Sequence, residues 1–147
     1  MRRFRSISAK KAVRNGNAAE NAVVALFQAN GWNAVRVPNG GRMVGPSKFI
    51  PIKSPFDYVF LKSGASVFVD IKSTTDKSFR FSKIKKHQLV ALSGCERSGA
   101  VAGYIVYFSK DNLYRFFTAS LLASANNRGS FSPDEGAELK TMFGINA

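Results

Sequence analysis

The sequence has very few of the side chains that form disulfides and zinc sites. It contains one cysteine, Cys95, and one histidine, His87. A single cysteine excludes an internal disulfide, and these two residues are too few for a cysteine–histidine zinc site. A bound metal would therefore need carboxylate and carbonyl oxygens as ligands, and these favour a hard cation such as Mg²⁺.

Long apolar segments are also missing. No run approaches the roughly 20 apolar residues of a membrane-spanning helix. The basic start MRRFRSISAKK is not followed by the apolar stretch of a signal peptide. The lone cysteine is typical of a reducing compartment. We therefore expect a cytoplasmic protein that has no membrane partner.

Acidic residues are scarce beside the basic ones. The 147 residues include 22 lysines and arginines against 9 acids, which gives a formal net charge of +13. This excess predicts a polyanionic partner, because phosphates that pair with basic side chains release condensed counterions. The alternatives are a basic protein that binds a membrane surface or ribosomal RNA. Hydrophobic residues make up 45% of the chain, enough for the core of one domain.

The first third of the chain predicts a basic arm, a helix and a long loop. Residues 1–16 are rich in basic side chains and have little periodicity, which indicates a mobile arm. A helix is predicted to begin at Asn17 as N-cap, with Glu20 in the position of a capping box. Residues 38–56 contain four prolines and three glycines and predict a long loop. Residues 17–147 are expected to form one domain.

Strands and helices alternate in the rest of the chain, so the pattern predicts an α/β domain with a central mixed sheet flanked by helices. The predicted elements, in chain order, are a strand in WNAVRV, a hairpin of DYVFLK and SVFVDIK, a helix capped by Ser82, a strand pair of AVAGYIVYFS and NLYRFFTA, a short helix over 118–125, and a C-terminal helix capped by Ser132.

Two acid-x-Lys triplets occur, Asp70-Ile71-Lys72 and Glu138-Leu139-Lys140. The second falls in the predicted C-terminal helix, where residues two apart point in different directions. The first falls in a predicted strand, where alternate side chains share a face, so both charged groups can point to one phosphate. The alternative for the first triplet is an exposed ion pair worth about 0–1 kcal/mol.

The predicted hairpin brings a second carboxylate to the first triplet. A two- or four-residue turn around Ser63-Gly64 places Asp57 opposite Asp70, whereas a three-residue turn would place it beside Ile71. Opposite Cβ atoms lie about 5 Å apart, and two carboxylates at that distance repel unless a cation lies between them. We therefore predict Mg²⁺ held by Asp57, Asp70 and the Ile71 carbonyl, with Mn²⁺ able to substitute.

Such a site favours hydrolysis of a phosphodiester. The metal would polarise a phosphoryl oxygen and lower the pKa of a bound water. Lys72 would orient the attacking water or stabilise charge on the phosphate. Glu20 either completes the metal shell from the first helix or serves as a capping-box residue. His87 is interpreted as a phosphate contact or an ordinary surface residue.

These residues resemble the PD-(D/E)xK nuclease superfamily, through Glu20, the PFD segment ending at Asp57, and DIK at 70–72. The stretch DIKSTTDKSFRFSKIKKHQLVAL, followed by GAVAGYIVYF and LYRFFTASLL, is similar to the RecU-type Holliday junction resolvases. The likeness covers about residues 14–122. The chain is short beside bacterial members and its loop differs from theirs, which a compact phage-encoded relative would explain.

The resemblance implies a restriction-endonuclease-like core and a homodimer that cuts four-way DNA junctions symmetrically with Mg²⁺. The loop at 38–56 would project into the junction centre, and the arm at 1–16 would grip DNA. The cell would be bacterial or phage-infected. By the same resemblance, the catalytic residues are Glu20, Asp57, Asp70 and Lys72, with Gln88 in support.

Basic and hydroxyl side chains outside this set are predicted to contact DNA phosphates. The alternative for the lysines after residue 82 is a solvated helix face, and for the hydroxyls an ordinary turn. The predicted DNA-binding residues are Arg2, Arg3, Arg5, Lys10, Lys11, Arg14, Arg42, Lys48, Lys53, Ser73, Thr74, Lys77, Arg80, Lys83, Lys85 and Lys86.

The sequence thus predicts a metal-dependent, structure-selective DNA endonuclease of recombination and repair that resolves Holliday junctions without a small-molecule cofactor. One alternative is another nuclease of the superfamily, restriction-like or flap-cutting. The other is a basic DNA-binding module without catalysis.

Overall fold

The computed structural model describes residues 7–52, 54–125 and 128–146. The helices and strands are α1 (Ile7–Ala29), β1 (Asn33–Arg36), β2 (Gly40–Val44), β3 (Lys48–Ile52), β4 (Tyr58–Lys62), β5 (Ala65–Thr74), β6 (Phe79–Arg80), a 3₁₀ turn (Phe81–Lys83), α2 (Lys86–Arg97), β7 (Val101–Phe108), β8 (Leu113–Thr118), α3 (Ala119–Ala123), β9 (Ser130–Phe131), a second 3₁₀ turn (Pro133–Glu135), β10 (Ala137–Glu138) and α4 (Leu139–Phe143).

A six-stranded sheet with the order β1-β4-β5-β7-β8-β10 forms the centre of the described chain. β5 and β7 run parallel, and the other neighbours run antiparallel. The predicted mixed sheet is therefore confirmed, and so is the predicted pairing of the strands now called β7 and β8.

Helices cover both faces of this sheet, so β5 and β7 lie between two hydrophobic clusters. On one face, α1 packs its Val23 and Phe27 against Val67, Val69 and Ile71 of β5. On the other face, α2 and α3 pack against the side chains that alternate with these. Successive residues of β5 therefore face different helices, which separates the even-numbered side chains from the odd-numbered ones.

The turn between β4 and β5 determines which residues share a face. Ser63 and Gly64 form a two-residue turn with φ values of 48° and 81°, as a type I′ turn requires. Lys62 consequently pairs with Ala65, and the predicted register is confirmed. A slip of one residue would exchange the two faces of β5.

The first helix is longer than predicted. It begins at Ile7, so the prediction of Asn17 as N-cap was wrong and Glu20 lies inside the helix rather than in a capping box. The alanines and lysines of residues 9–12 have high helix propensity, which carries the helix through Gly16. Residues 1–6 lie outside the described residues. The mobility of the arm and its boundary with a domain over 17–147 stay predictions.

The predicted loop at 38–56 contains a β-hairpin formed by β2 and β3. Its strands alternate side chains on two faces, a pattern that the prolines and glycines of this segment concealed. Pro51 is compatible with a strand here because each strand of a two-stranded ribbon is an edge. All residues from 38 to 51 are exposed.

Two predicted helix starts also need correction. Ser82 lies in a 3₁₀ turn and caps nothing, because α2 begins after Lys85. The C-terminal segment is a 3₁₀ turn, a short strand and α4 rather than one helix. The capping box of Ser132 and Glu135 is present, but on a single turn that ends at Gly136. The short helix predicted over 118–125 is confirmed as α3, which Thr118 caps.

Among the described helices, α1 included, none combines the length and the apolar character that crossing a bilayer would require.

Gly103 in β7 lies where the sheet leaves no room for a side chain, because a Cβ there would overlap the Phe117 carbonyl oxygen. We expect Gly103→Ala to lower the free energy of unfolding by about 1–3 kcal/mol, the usual range for overpacking. Urea unfolding would measure this. Gly40→Ala is the matched control, since no described atom lies within 4 Å of its Cβ, and equal stability of the two variants would contradict the account.

Candidate active site

A buried carboxylate on β5 is the centre of the candidate site. The Asp70 side chain is 1% exposed. Gln88 Nε2, on the first turns of α2, donates to Asp70 Oδ1 at 3.1 Å. Lys72 Nζ lies 2.9 Å from Asp70 Oδ2, yet among the described residues no donor meets hydrogen-bond geometry at Oδ2. One carboxylate oxygen is therefore held by an amide and the other only by charge.

Asp57 is fixed beside this carboxylate by the ends of two strands. Its backbone N–H donates to Val69 O at 3.0 Å, and its carbonyl accepts from Val37 N at 2.9 Å. Its Oδ2 accepts from Ile71 N at 2.9 Å. The β4–β5 ladder ends where Tyr58 pairs with Val69, one residue before the Asp57–Asp70 pair that the predicted register implies. Both carboxylates nevertheless line one cleft, and the charge of Asp57 acts on the Asp70 carboxyl group.

The electrostatics of the pair fit a divalent cation. The pKa of Asp70 is raised to about 7, chiefly by burial, with the charge of Lys72 lowering it and the charge of Asp57 raising it. One ammonium group thus does not offset the cost of burying a carboxylate beside another. Two carboxylates, one with a buried oxygen that accepts no hydrogen bond from the described residues, supply oxygen ligands of the kind that Mg²⁺ or Mn²⁺ prefers.

Lys72 forms the ion pair that the sequence offered as the simpler alternative. Its side chain is 21% exposed, while its partner is buried. The contact therefore differs from the exposed strand-face pair of that alternative. The ammonium group lies at the boundary between a buried carboxylate and the solvent of the cleft.

Glu20 approaches from the α1 side of the sheet. Burial and then the charge of Asp57 raise the pKa of Glu20, while Arg36 and a hydrogen bond with Tyr58 lower it. In the chain as described, no three acidic, histidine or cysteine side chains come close enough to hold a metal together. Glu20 lines the same cleft as the two carboxylates, and its predicted place in the metal shell stays a prediction.

Gln88 is 8% exposed and lies one turn before the buried Leu92 of α2. Its position on the buried face had no explanation in the sequence alone, because a buried amide needs partners. Only the resemblance singled it out. The contact with Asp70 supplies the missing partner.

These residues open into a cleft of about 620 Å³. Its wall includes Asn17, which the sequence placed only as a helix cap, and Asn39 and Ser54, which the sequence did not single out. Asn39 Oδ1 accepts from Ser54 N at 2.9 Å, which joins the two arms at the base of the β2–β3 hairpin. The remaining lining residues are Glu20, Asp57, Asp70, Ile71, Lys72, Lys85, His87 and Gln88.

The predicted DNA-binding residues fall into three groups. Arg42 and Lys48 lie exposed on the hairpin. Exposed cations also surround the first 3₁₀ turn and the start of α2, namely Lys77, Arg80, Lys83, Lys85 and Lys86. For the rest, Arg2, Arg3, Arg5 and Lys53 lie outside the described residues, and of Lys10, Lys11 and Arg14 only the helical backbone is described.

Thr74 does not suit the DNA contact predicted for it. It is buried, and its Oγ1 accepts from Asp76 N at 3.1 Å and from Lys83 Nζ at 3.3 Å. The sequence suggested an exposed Ser/Thr-rich turn here. Thr74 instead lies in β5, where alternation of side chains directs its hydroxyl inward. Ser73 is half-buried on the α1 side, next to Tyr107 and Ser109.

Comparisons with known proteins identify the family and the fold. The family model described as Recombination protein U matches residues 21–135. The structure is similar to Hjc, a Holliday junction resolvase from the archaeal hyperthermophile Archaeoglobus fulgidus, with a TM-score of 0.60, 18% identity, and coverage of 86% of this chain and 98% of that one. This likeness confirms the predicted restriction-endonuclease-like fold class.

Two further results complete the comparisons. The bacterial homing endonuclease I-Ssp6803I matches with a TM-score of 0.43, 20% identity, and coverage of 79% of this chain and 69% of that one. No curated protein matches. Because the family model spans more than half of the chain, the protein belongs to the Recombination protein U family, and the predicted resemblance to RecU-type Holliday junction resolvases is confirmed.

Proposed function

We propose that this protein resolves four-way DNA junctions by metal-dependent hydrolysis of phosphodiester bonds in the cleft around Asp57 and Asp70. The observation that carries the proposal is the buried Asp70, which contacts Lys72 and adjoins Asp57 at the bottom of that cleft. Membership of the Recombination protein U family supports the same reaction.

The proposed metal ligands are Asp57, Asp70 and the Ile71 carbonyl. Mg²⁺ is the proposed ion and Mn²⁺ a substitute, and either would polarise a phosphoryl oxygen and lower the pKa of a bound water. Asp57 keeps one oxygen bonded to Ile71 N, which leaves the other for the cleft. Glu20, which lines the same cleft, would complete the metal shell from α1.

Lys72 and Gln88 have different proposed roles. The Lys72 ammonium group lies at the solvent boundary, where a phosphate would replace part of its attraction to Asp70 and where it would stabilise developing charge. Gln88 holds Asp70 Oδ1 through its Nε2 and thereby fixes the direction of the carboxylate.

The β2–β3 hairpin has two faces of different chemistry, which suits insertion into a junction. Its register places Met43 opposite Phe49 on one face, and Arg42 opposite Ile50 on the other. We propose that the apolar face contacts bases exposed at the crossover. Arg42 and Lys48 would contact the surrounding phosphates. The Asn39–Ser54 bond at the base links this hairpin to the cleft.

A homodimer is the proposed assembly, since symmetric cutting of two strands needs two active sites. We place the protein in the cytoplasm of a bacterial or phage-infected cell.

The first test replaces the central carboxylate. Asp70→Asn should lower cleavage of a synthetic four-way junction by at least about 100-fold, because the uncharged amide neither binds the cation nor pairs with Lys72. Junction binding should persist. Asp111→Asn, an exposed residue in the β7–β8 turn, is the matched control and should cut like the parent.

The products of the same assay discriminate between the alternatives. Paired symmetric nicks near the crossover support the proposal. Equal cutting of linear duplex by the parent would favour a restriction-like nuclease. Binding without any cutting by the parent would favour a DNA-binding module.

The second test concerns the exposed cations near the cleft. Each phosphate contact contributes about 0.9 to the slope of log Kd against log salt concentration. Replacing Lys77, Lys85 and Lys86 by Gln should therefore reduce that slope by about 2.7, measured by fluorescence anisotropy on a junction. Lys140→Gln, on α4, is the control. An unchanged slope in the triple variant would place the DNA elsewhere.

The third test separates the two faces of the hairpin. Met43→Ser with Phe49→Ser should reduce the preference for a four-way junction over linear duplex, because the apolar contact at the crossover is lost. Arg42→Gln with Lys48→Gln should weaken binding to both DNAs alike. Competition binding at fixed salt measures both ratios. A junction preference retained in the serine variant would refute the assigned role of that face.

A further inference from the structure

Tyr104 of β7 carries a hydroxyl group that the proposed chemistry does not use. It pairs with Asp70 across the parallel β5–β7 ladder, so both side chains lie on the α2 face. The side chain is 0% exposed, and its hydroxyl has no hydrogen-bond partner in the part of the chain that the structure describes. Phenylalanine would fill this core without burying an unpaired polar group, which costs about 1–3 kcal/mol.

A complementary unpaired atom lies on Gln88. Its Nε2 donates to Asp70 Oδ1 at 3.1 Å, whereas its buried Oε1 lacks a donor within the described ranges. α2, which carries Gln88, packs directly against β7, which carries Tyr104. Asp70 thus lies next to two groups without hydrogen-bond partners among the described residues. One is a donor, the Tyr104 hydroxyl, and the other is an acceptor, Gln88 Oε1.

We propose that Tyr104 is a positioning residue for Asp70. Its hydroxyl donates to Gln88 Oε1 through one bridging water, since the two atoms make no direct hydrogen bond, and so keeps the NH₂ group of the amide directed at the carboxylate. This inference rests on the proposed metal site. Without a donor at Oε1 the amide is free to turn over, which would direct an oxygen at the carboxylate, and two acceptors repel.

The surroundings of Tyr104 suit a hydrogen-bond donor. Burial and the charge of Asp70 both raise the pKa of Tyr104, so the phenol keeps the proton that it would donate. Leu92 is fully buried on the same face of α2 as Gln88, which holds the helix against the sheet. A fixed amide would keep Asp70 Oδ2 directed into the cleft.

The test is Mn²⁺ binding by the free protein, followed through the EPR signal of unbound Mn²⁺. Partners that orient metal ligands typically contribute 10–100-fold to affinity or activity, so Tyr104→Phe should weaken Mn²⁺ affinity by about 10-fold. The variant should stay folded at the assay temperature without metal, with a thermal midpoint only a few degrees lower, about the cost of one lost hydrogen bond. Tyr107→Phe is the matched control, since that hydroxyl donates to Asn112 at 2.9 Å on the opposite face, and it should bind Mn²⁺ like the parent.

A double-variant cycle tests whether Tyr104 acts through Gln88. Once Gln88→Met has removed the amide, adding Tyr104→Phe should cause no further loss of Mn²⁺ affinity, because coupled residues are not additive. Independent, additive losses would contradict the proposed contact.

Asp70→Asn, measured beside these variants, separates this inference from the proposed function. If Asp70→Asn keeps parent Mn²⁺ affinity, the proposed metal site itself fails. If it loses affinity while Tyr104→Phe keeps it, only the role of Tyr104 is overturned. Loss of the fold in Tyr104→Phe would also overturn that role, since the hydroxyl would then support the core.

Discussion

The burial of Asp70 between the sheet and α2 is the constraint on which the candidate site depends. A carboxylate that is 1% exposed would be costly without compensation, and the fold surrounds it with an amide, an ammonium group and a second carboxylate. The second carboxylate increases the cost, which a purely structural role for Asp70 does not explain. The same arrangement is expected of a site that binds a divalent cation.

The position of that carboxylate follows from local features of the chain. The type I′ turn at Ser63-Gly64 fixes the register of β4 and β5, and the register places Asp57 beside Asp70. The parallel partner β7 places Tyr104 beside Asp70 on the same face of the sheet, and α2, which covers that face, contributes Gln88. The hairpin of β2 and β3 ends at the rim of the cleft through Asn39 and Ser54. The hairpin proposed to contact DNA is therefore joined to the rim of the proposed active site.

The sequence was informative where a short-range rule decides the structure. Alternation in β5 and the turn chemistry before it were enough to predict the β4–β5 register, at whose end Asp57 lies near Asp70. The sequence was less informative where the secondary structure of a long segment depends on several weak residue preferences that oppose one another. Gly16 concealed the early start of α1, and the prolines of 38–56 concealed a hairpin that nonetheless alternates. Glu20 lines the same cleft as Asp57 and Asp70 although it lies on α1, and its role as a metal ligand stays a prediction.

Buried polar partners were the least predictable part of the site. Gln88 and Tyr104 occur in stretches that are typical of a helix face and a core strand, and their relation to Asp70 depends on packing across the sheet. The same limit applies to Thr74, which lies in a polar segment of the sequence but is buried in the structure.

The most direct test of the account is the position of Mn²⁺ in crystals of the protein, located by anomalous scattering. The account predicts a peak in contact with carboxylate oxygens of both Asp57 and Asp70, and its loss in crystals of Asp70→Asn. A peak that contacts neither carboxylate, in a protein that still cuts junctions, would contradict it.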